Sequence, residues 1–120
     1  MWRAQIPPKM WNLIWRIYRS CLPTQDRLNT HHVSCPLHCE LCEHYVESDW
    51  HILFYCHTSA DCWKVAGLAA TPKSRLACFD SVGATLLDVC VDEPESIASR
   101  MLIIIWGIWK NRNDFIWNQK

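Results

Sequence analysis

Residues Cys39 to Cys56 read CELCEHYVESDWHILFYC, and the fold turns on how that stretch organises itself. Cys39 and Cys42 stand two residues apart, a tight turn that brings two thiolates to the separation one tetrahedral ion requires. His51 and Cys56 complete the pattern Cys-x2-Cys-x8-His-x4-Cys and supply two further ligands. Three sulfurs with one imidazole suit zinc, which is borderline soft and has no d-electron preference against a tetrahedron. Four protein ligands leave no position for water, so the expectation is one structural Zn2+ and not a catalytic one. His51 and Cys56 are about 140° apart around an ideal α-helix, so Cys56 must lie at or beyond a helix end to face the ion.

Other ligand sets remain open at this point. Cys35, His38, His44 and His57 all lie near enough in sequence to replace a ligand, and Cys35-x3-Cys39-x2-Cys42 is the main rival. The bland alternative, buried thiols beside a core histidine, is disfavoured because loop-borne cysteine pairs have little apolar surface to hide in. Cys21, Cys62, Cys78 and Cys90 fall on apolar helical faces and read as core thiols.

Working outward, residues His31 to Cys42 have no usable period and are rich in turn formers, so an outside organiser such as a metal must order them. On the N-terminal side, Pro7-Pro8 opens a helix with Met10, Ile14, Ile17 and Cys21 on one stripe and Trp11, Trp15, Tyr18 and Leu22 beside it. Leu22-Pro23 breaks that helix, and Thr24 is placed to cap a short successor through Leu28. On the C-terminal side, Ser48 precedes a short apolar helical run, and Thr58 with Asp61 resembles a capping box for a helix carrying Trp63 and Val65 that Gly67 would end. Val82 to Cys90 suggests another helix. Pro94 begins the last, with Ile97, Met101, Ile104, Ile105, Ile108 and Trp109 buried and Lys110 and Arg112 suited to its C-terminal end. The expected fold is mainly α: a small helical domain with a Cys/His zinc knuckle loop and no significant sheet. Its expected parts are a zinc-binding unit over 1–66, a weakly structured connection over 67–93 and a Trp-rich helix over 94–117 packed on the first.

A chain of 120 residues with half of them apolar, eight Trp and three Gly is one domain with a core, not a disordered segment. Its longest apolar run, Met101 to Trp109, is about half the roughly 20 residues a membrane span needs. No secretory signal is visible, so the expected location is intracellular, nuclear or cytoplasmic, where cysteines stay reduced. Twelve basic residues balance twelve acidic ones, but unevenly. Residues 1–32 hold five Lys or Arg against one Asp, whereas 33–62 hold five acidic residues and no Lys or Arg. A nucleic-acid surface, if there is one, is therefore expected on the first helix, with Arg3, Lys9, Arg16, Arg19 and Arg27 at phosphates and Trp2 or Trp11 stacking on an unpaired base. Against that stands the plainer reading, a solvated basic face over core tryptophans.

The order Pro7-Pro8-Lys9-Met10, Trp15-Arg16, Leu22-Pro23-Thr24 with Leu28, Cys39-x2-Cys42, Glu47-Ser48-x2-His51-Ile52-Leu53-Phe54-x-Cys56 and Trp63 resembles the reverse-transcriptase zinc-binding domain of plant LINE-type non-LTR retrotransposons. Trp106-x2-Trp109-Lys110-x-Arg112-Asn113 is similar to the stretch that follows it there. The resemblance implies an accessory module from a polyprotein, lying downstream of a polymerase domain and often ahead of a ribonuclease H domain, and hence a fragment or decayed copy. Cys35 departs from the family, which more often has an acidic residue at that position. No polymerase-like acidic pair or ribonuclease H carboxylate set is present, and metal-bound thiolates are spent as nucleophiles, so the expectation is no enzyme and no small-molecule substrate. The expected role is help in holding RNA template or target DNA, with RNA or single-stranded DNA and the reverse transcriptase or ribonuclease H domains as partners and no membrane. The alternative is a zinc-stapled interaction scaffold that packs on a neighbouring domain without touching nucleic acid.

Overall fold

Pro8 can start a helix because the N–H it lacks would have no intrahelical partner there. In the computed structural model, which describes residues 6–68 and 79–117, helix α1 runs Pro8–Tyr18 and buries Met10, Leu13, Ile14 and Ile17. The stripe is rotated from the expected one. Leu13 enters the core, Trp11 is half-buried, and Trp15 and Tyr18 stay exposed at 54% and 45%. Among the described residues, the helices that arrive later in the chain pack on α1 over its Met10, Leu13, Ile14 and Ile17 side, which leaves Trp15 and Tyr18 exposed. Cys21 is likewise exposed and not a core thiol. Ser20 turns with φ 56° and Cys21 N donates to Arg16 O at 2.8 Å, which swings Leu22 inward in its place.

Helix α2 runs Gln25–Thr30. Thr24 occupies the cap position, but its hydroxyl donates to the Asp26 carboxylate and accepts no backbone N–H. The cap comes from 22 residues away: Gln25 N donates to Glu47 Oε1 at 2.9 Å, and Asp26 N donates to Glu47 O at 3.2 Å. Between α2 and Ser48 the chain forms a small hairpin-like knuckle around the isolated antiparallel bridge His38–Val46, with Cys39 N donating to Tyr45 O and Glu47 N to Leu37 O. Among the described residues there is no strand beyond that bridge.

The apolar run after Ser48 ends in a π-helical turn, His51–Tyr55, followed by α3, His57–Val65. The expected capping box at Thr58 and Asp61 does not form, because the helix opens two residues earlier with Cys56 at its cap and no side-chain cap. Gly67, at φ 74°, ends α3 as expected; its N–H reaches Lys64 O while Leu68 N reaches Trp63 O. That pair of hydrogen bonds satisfies the last carbonyls and seats buried Leu68. Ser59 and Trp63 take the inward side of α3, so Cys62, about 100° from Trp63 on the helix, is exposed and not a core thiol.

Helix α4, Val82–Asp92, lies within the span expected as a connection, and its buried Val82, Leu86, Val89 and Cys90 join the core. Residues 69–78 of that span, with Cys78, lie outside the described residues. α4 crosses α1 so tightly that a Cβ on Gly83 would sit 2.8 Å from both Cα and O of Tyr18. Helix α5, Glu95–Trp117, packs on α1, the π-helical turn, α3 and α4, burying Ala98, Met101, Leu102, Ile105, Ile108, Trp109 and Arg112. Ile97 and Ile104, expected on the buried face, flank it instead. The protein is therefore a mainly α domain whose knuckle is pinned between α2 and the C-terminal helix. No helix among the described residues is long and apolar enough to cross a membrane.

Candidate metal centre

The ligand atoms of Cys39, Cys42, His51 and Cys56 all lie within 4.8 Å of one another. Cys39 Sγ is 3.9 Å from Cys56 Sγ, and Cys42 Sγ is 3.3 Å from His51 Nε2. A zinc tetrahedron with Zn–S near 2.3 Å and Zn–N near 2.0 Å puts neighbouring ligand atoms about 3.5 to 3.8 Å apart. The cluster is thus suited to one zinc ion, in both chemistry and spacing.

Each side chain is aimed by its local backbone. The Cys39–Cys42 turn closes with Glu43 N donating to Cys39 O at 2.8 Å, and Glu43 takes φ 62° to redirect the chain. The angular mismatch between His51 and Cys56 is resolved by the π-helical turn. Cys56 N donates to His51 O at 2.6 Å, and this wider i to i+5 ring carries the residue five positions on back toward the first. Cys56 itself is extended, at φ −61° and ψ 140°, so it leaves the turn facing the cluster while its carbonyl begins α3. Ser48 Oγ accepts from His51 N at 3.1 Å, Thr58 Oγ1 lies 3.2 Å from Cys56 Sγ, and the Tyr45 ring tilts across the His51 ring at 5.5 Å.

Electrostatics separate the thiols. Burial pushes Cys39 up to about 12, outweighing two backbone hydrogen bonds that favour its thiolate. At half-buried Cys42 burial also acts upward, but the backbone amides of His44 and Tyr45 and hydrogen bonds from Cys39 and Cys56 prevail, holding it below the ordinary thiol value. Burial lowers His51, favouring the neutral imidazole that a metal requires.

The rival ligands are elsewhere. Cys35 Sγ points back to Gln25 O at 3.6 Å, and His38, His44 and His57 are exposed outside the cluster. Of the cationic candidates, Lys9, Arg16 and Arg19 are exposed on and just after α1. Arg27 is tied to Asp49 at 2.9 Å and to Leu22 O at 3.1 Å, while Arg3 and Trp2 lie outside the described residues.

Two residues that hold the site together carried no local signal. Glu47 is wholly buried, and Arg112, 65 residues later, donates to it with Nε at 2.9 Å to Oε2 and with Nη2 to Oε1. The guanidinium also lies over the Trp109 ring, 4.5 Å from its centroid. The Glu47 carboxylate therefore joins the knuckle, the start of α2 and α5 at one point. A lone Glu in an acidic loop and a lone Arg near a helix end each have a solvated explanation, so only their meeting reveals the clamp.

Residues 1–63 match the family described as zinc-binding in reverse transcriptase. A candidate ribonuclease H protein of Arabidopsis thaliana is 26% identical over 120 residues, covering 93% of this chain. The chain spans only 18% of that relative's length. No solved structure matches at a significant level. With the family match covering just over half of the sequence and the Cys3His cluster assembled within it, the chain belongs to the family of zinc-binding domains in reverse transcriptase.

Proposed function

We propose that this chain is a structural zinc module of a retrotransposon-derived polyprotein that helps to hold nucleic acid beside the catalytic domains and performs no catalysis itself. The observation that carries this reading is the closed ligand set. Cys39, Cys42, His51 and Cys56 use all four positions of a tetrahedral ion, so the metal acts as a staple and activates no water. Zinc would neutralise two of three thiolate charges and make the knuckle rigid against the core without making it a phosphate trap. In this reading 1–66 is the zinc-binding unit and 94–117 the helix that braces it. Phosphates are met by the basic residues of the N-terminal third, Arg3, Lys9, Arg16, Arg19 and Arg27, with Arg27 limited by its bond to Asp49. Partner domains of reverse-transcriptase or ribonuclease H type fit the family and the candidate ribonuclease H relative.

The test has two parts. A chelator, Cys42→Ser and His51→Ala should each loosen residues 31–63 and collapse the near-ultraviolet dichroism of Trp50 and Trp63. The zinc-loaded chain should then bind RNA or single-stranded DNA with an affinity that falls with salt. Unchanged dichroism on chelation would remove the staple. Absence of binding at low salt would remove the nucleic-acid role.

A second reading has its own support. Beside the cluster a concavity of about 700 Å³ is lined by Tyr45, Val46, Ser48, Trp50, His51 and Tyr55, with no Asp, Glu, Lys or Arg among them. Exposed Tyr45 and Tyr55 on such a surface suit a protein contact, as an interaction scaffold would need.

A further inference from the structure

We infer that the exposed side of α1, together with Lys110 of α5, is a binding strip for single-stranded nucleic acid, with Trp15 as its base-stacking residue. This rests on the nucleic-acid reading above and names its surface and its ligand class. At 100° per residue, Lys9, Arg16, Asn12, Arg19 and Trp15 follow one another around α1 within about 120° of arc. None of these five side chains is spent on the core.

On one border of the arc α5 adds a second wall. Lys9, Arg16 and Lys110 line a groove of about 460 Å³ with Asn12, Trp106 and Asn113. Three cations face one carboxylate there, Asp114, and its bond to Lys110 at 3.3 Å is an exposed i, i+4 pair that holds the lysine only weakly. Lys9 Nζ rests 4.9 Å from the Trp106 ring centroid, a contact weak enough at an exposed site to exchange for a phosphate. The cations come from helices about a hundred residues apart in sequence, a convergence that charge counts along the chain do not reveal.

On the other border lies the aromatic platform. Trp15 is 54% exposed, stacks on Tyr18 at 5.8 Å and carries the Arg19 guanidinium 5.7 Å from its ring centroid. Of the two tryptophans expected to stack, Trp11 is half-buried against the core and Trp2 lies outside the described residues. An exposed indole beside a cationic track suits a strand whose bases are unpaired, because a duplex keeps its base faces stacked internally. Asn12 and Asn113 supply amide groups for sugar or base edges along the same path.

The experiment uses the full zinc-loaded chain, titrated with a uridine oligonucleotide, a thymidine oligonucleotide and a duplex of equal charge, read by anisotropy of the labelled oligonucleotide. Trp15→Ala should weaken single-strand binding by about fivefold to a hundredfold while leaving duplex binding unchanged. The triple variant Lys9→Ala, Arg16→Ala, Lys110→Ala should flatten the slope of log affinity against log salt by about two units, roughly 0.7 per lost phosphate contact. Lys64→Ala, on α3 away from the strip, should change neither. Zinc content and far-ultraviolet dichroism must match the parent, which these exposed positions allow. If the parent binds single strands but Trp15→Ala and the triple variant match it, the strip is wrong and the broader reading survives. If the parent binds no oligonucleotide at low salt, both fall. Equal affinity for duplex and single strand, with Trp15→Ala without effect, overturns the stacking assignment. Uridine and thymidine strands bound alike assign the shared chemistry, whereas a preference for one identifies RNA or DNA as the source.

Discussion

Removing one partner of the Glu47–Arg112 pair should cost more than any surface charge in this protein. The Glu47 side chain is 0% exposed and that of Arg112 8%. Glu47→Ala leaves the guanidinium inside the fold without its counter-charge, a loss of about 3–5 kcal/mol. It also strips Gln25 N of its acceptor at 2.9 Å, a further buried donor worth about 1–3 kcal/mol. Arg112→Met strands the carboxylate instead, again at about 3–5 kcal/mol, with Gln25 N still bound. Either loss is a large share of the roughly 5–15 kcal/mol that holds a domain of this size. The double variant Glu47→Ala, Arg112→Met removes both charges, so its loss should fall short of the sum of the two single losses by at least about 3 kcal/mol. Urea unfolding of the zinc-loaded chain, followed by far-ultraviolet dichroism, measures all three. Lys110→Ala, which breaks only the exposed pair with Asp114, serves as the control and should stay within about 0.5 kcal/mol of the parent. Additive single losses, or a loss below about 1 kcal/mol for Glu47→Ala, would refute the idea that this pair clamps the knuckle to α5.

Gly83→Ala should destabilise by about 1–3 kcal/mol, because its Cβ would meet the Tyr18 backbone at 2.8 Å. Since alanine in a helix ordinarily stabilises relative to glycine, a raised melting temperature would contradict the close α1–α4 crossing. Trp63→Phe keeps an aromatic face for the stack on Phe54 at 5.6 Å but strands the Leu53 carbonyl that Nε1 reaches at 2.9 Å. A drop of about 1–3 kcal/mol in unfolding free energy is expected, and an unmoved denaturant midpoint would show the bond to be dispensable. In the zinc-free chain, burial raises Cys90 from 9.0 to about 11 and Cys39 from 9.0 to about 12. A raised thiol contributes its full stability below pH 9.0 and loses it as pH climbs toward the folded value, because the unfolded chain ionises first. Melting temperature should therefore fall between about pH 9 and pH 11, and less steeply in Cys90→Ala. Zinc reverses the direction at the cluster, since its ligands bind deprotonated, so loading should weaken on acidification.

Spacing along the chain made the four cluster residues legible. Cys39, Cys42, His51 and Cys56 are the set the structure gathers, and Cys35 with the three spare histidines is not. The need for Cys56 to escape an α-helical path was also visible, though the π-helical turn that meets it was not. A turn closing from residue 51 to 56 has no residue preference that marks it. Thr24 shows the opposite failure: it has the right side chain in the right place, yet Glu47 does the capping because a buried carboxylate was brought to the same N–H groups.

Helix starts at Pro8 and after Pro94, the stop at Gly67 and the metal spacing follow from steric and hydrogen-bond rules that act within about five residues, and the chain's own letters suffice for those. Which side of α1 is buried and which arginine meets Glu47 depend on neighbours that arrive 60 or more residues later, and which cysteines are covered depends on how the helices pack on one another. Burial is a property of the packed whole, because apolar area leaves water only where another element comes to cover it.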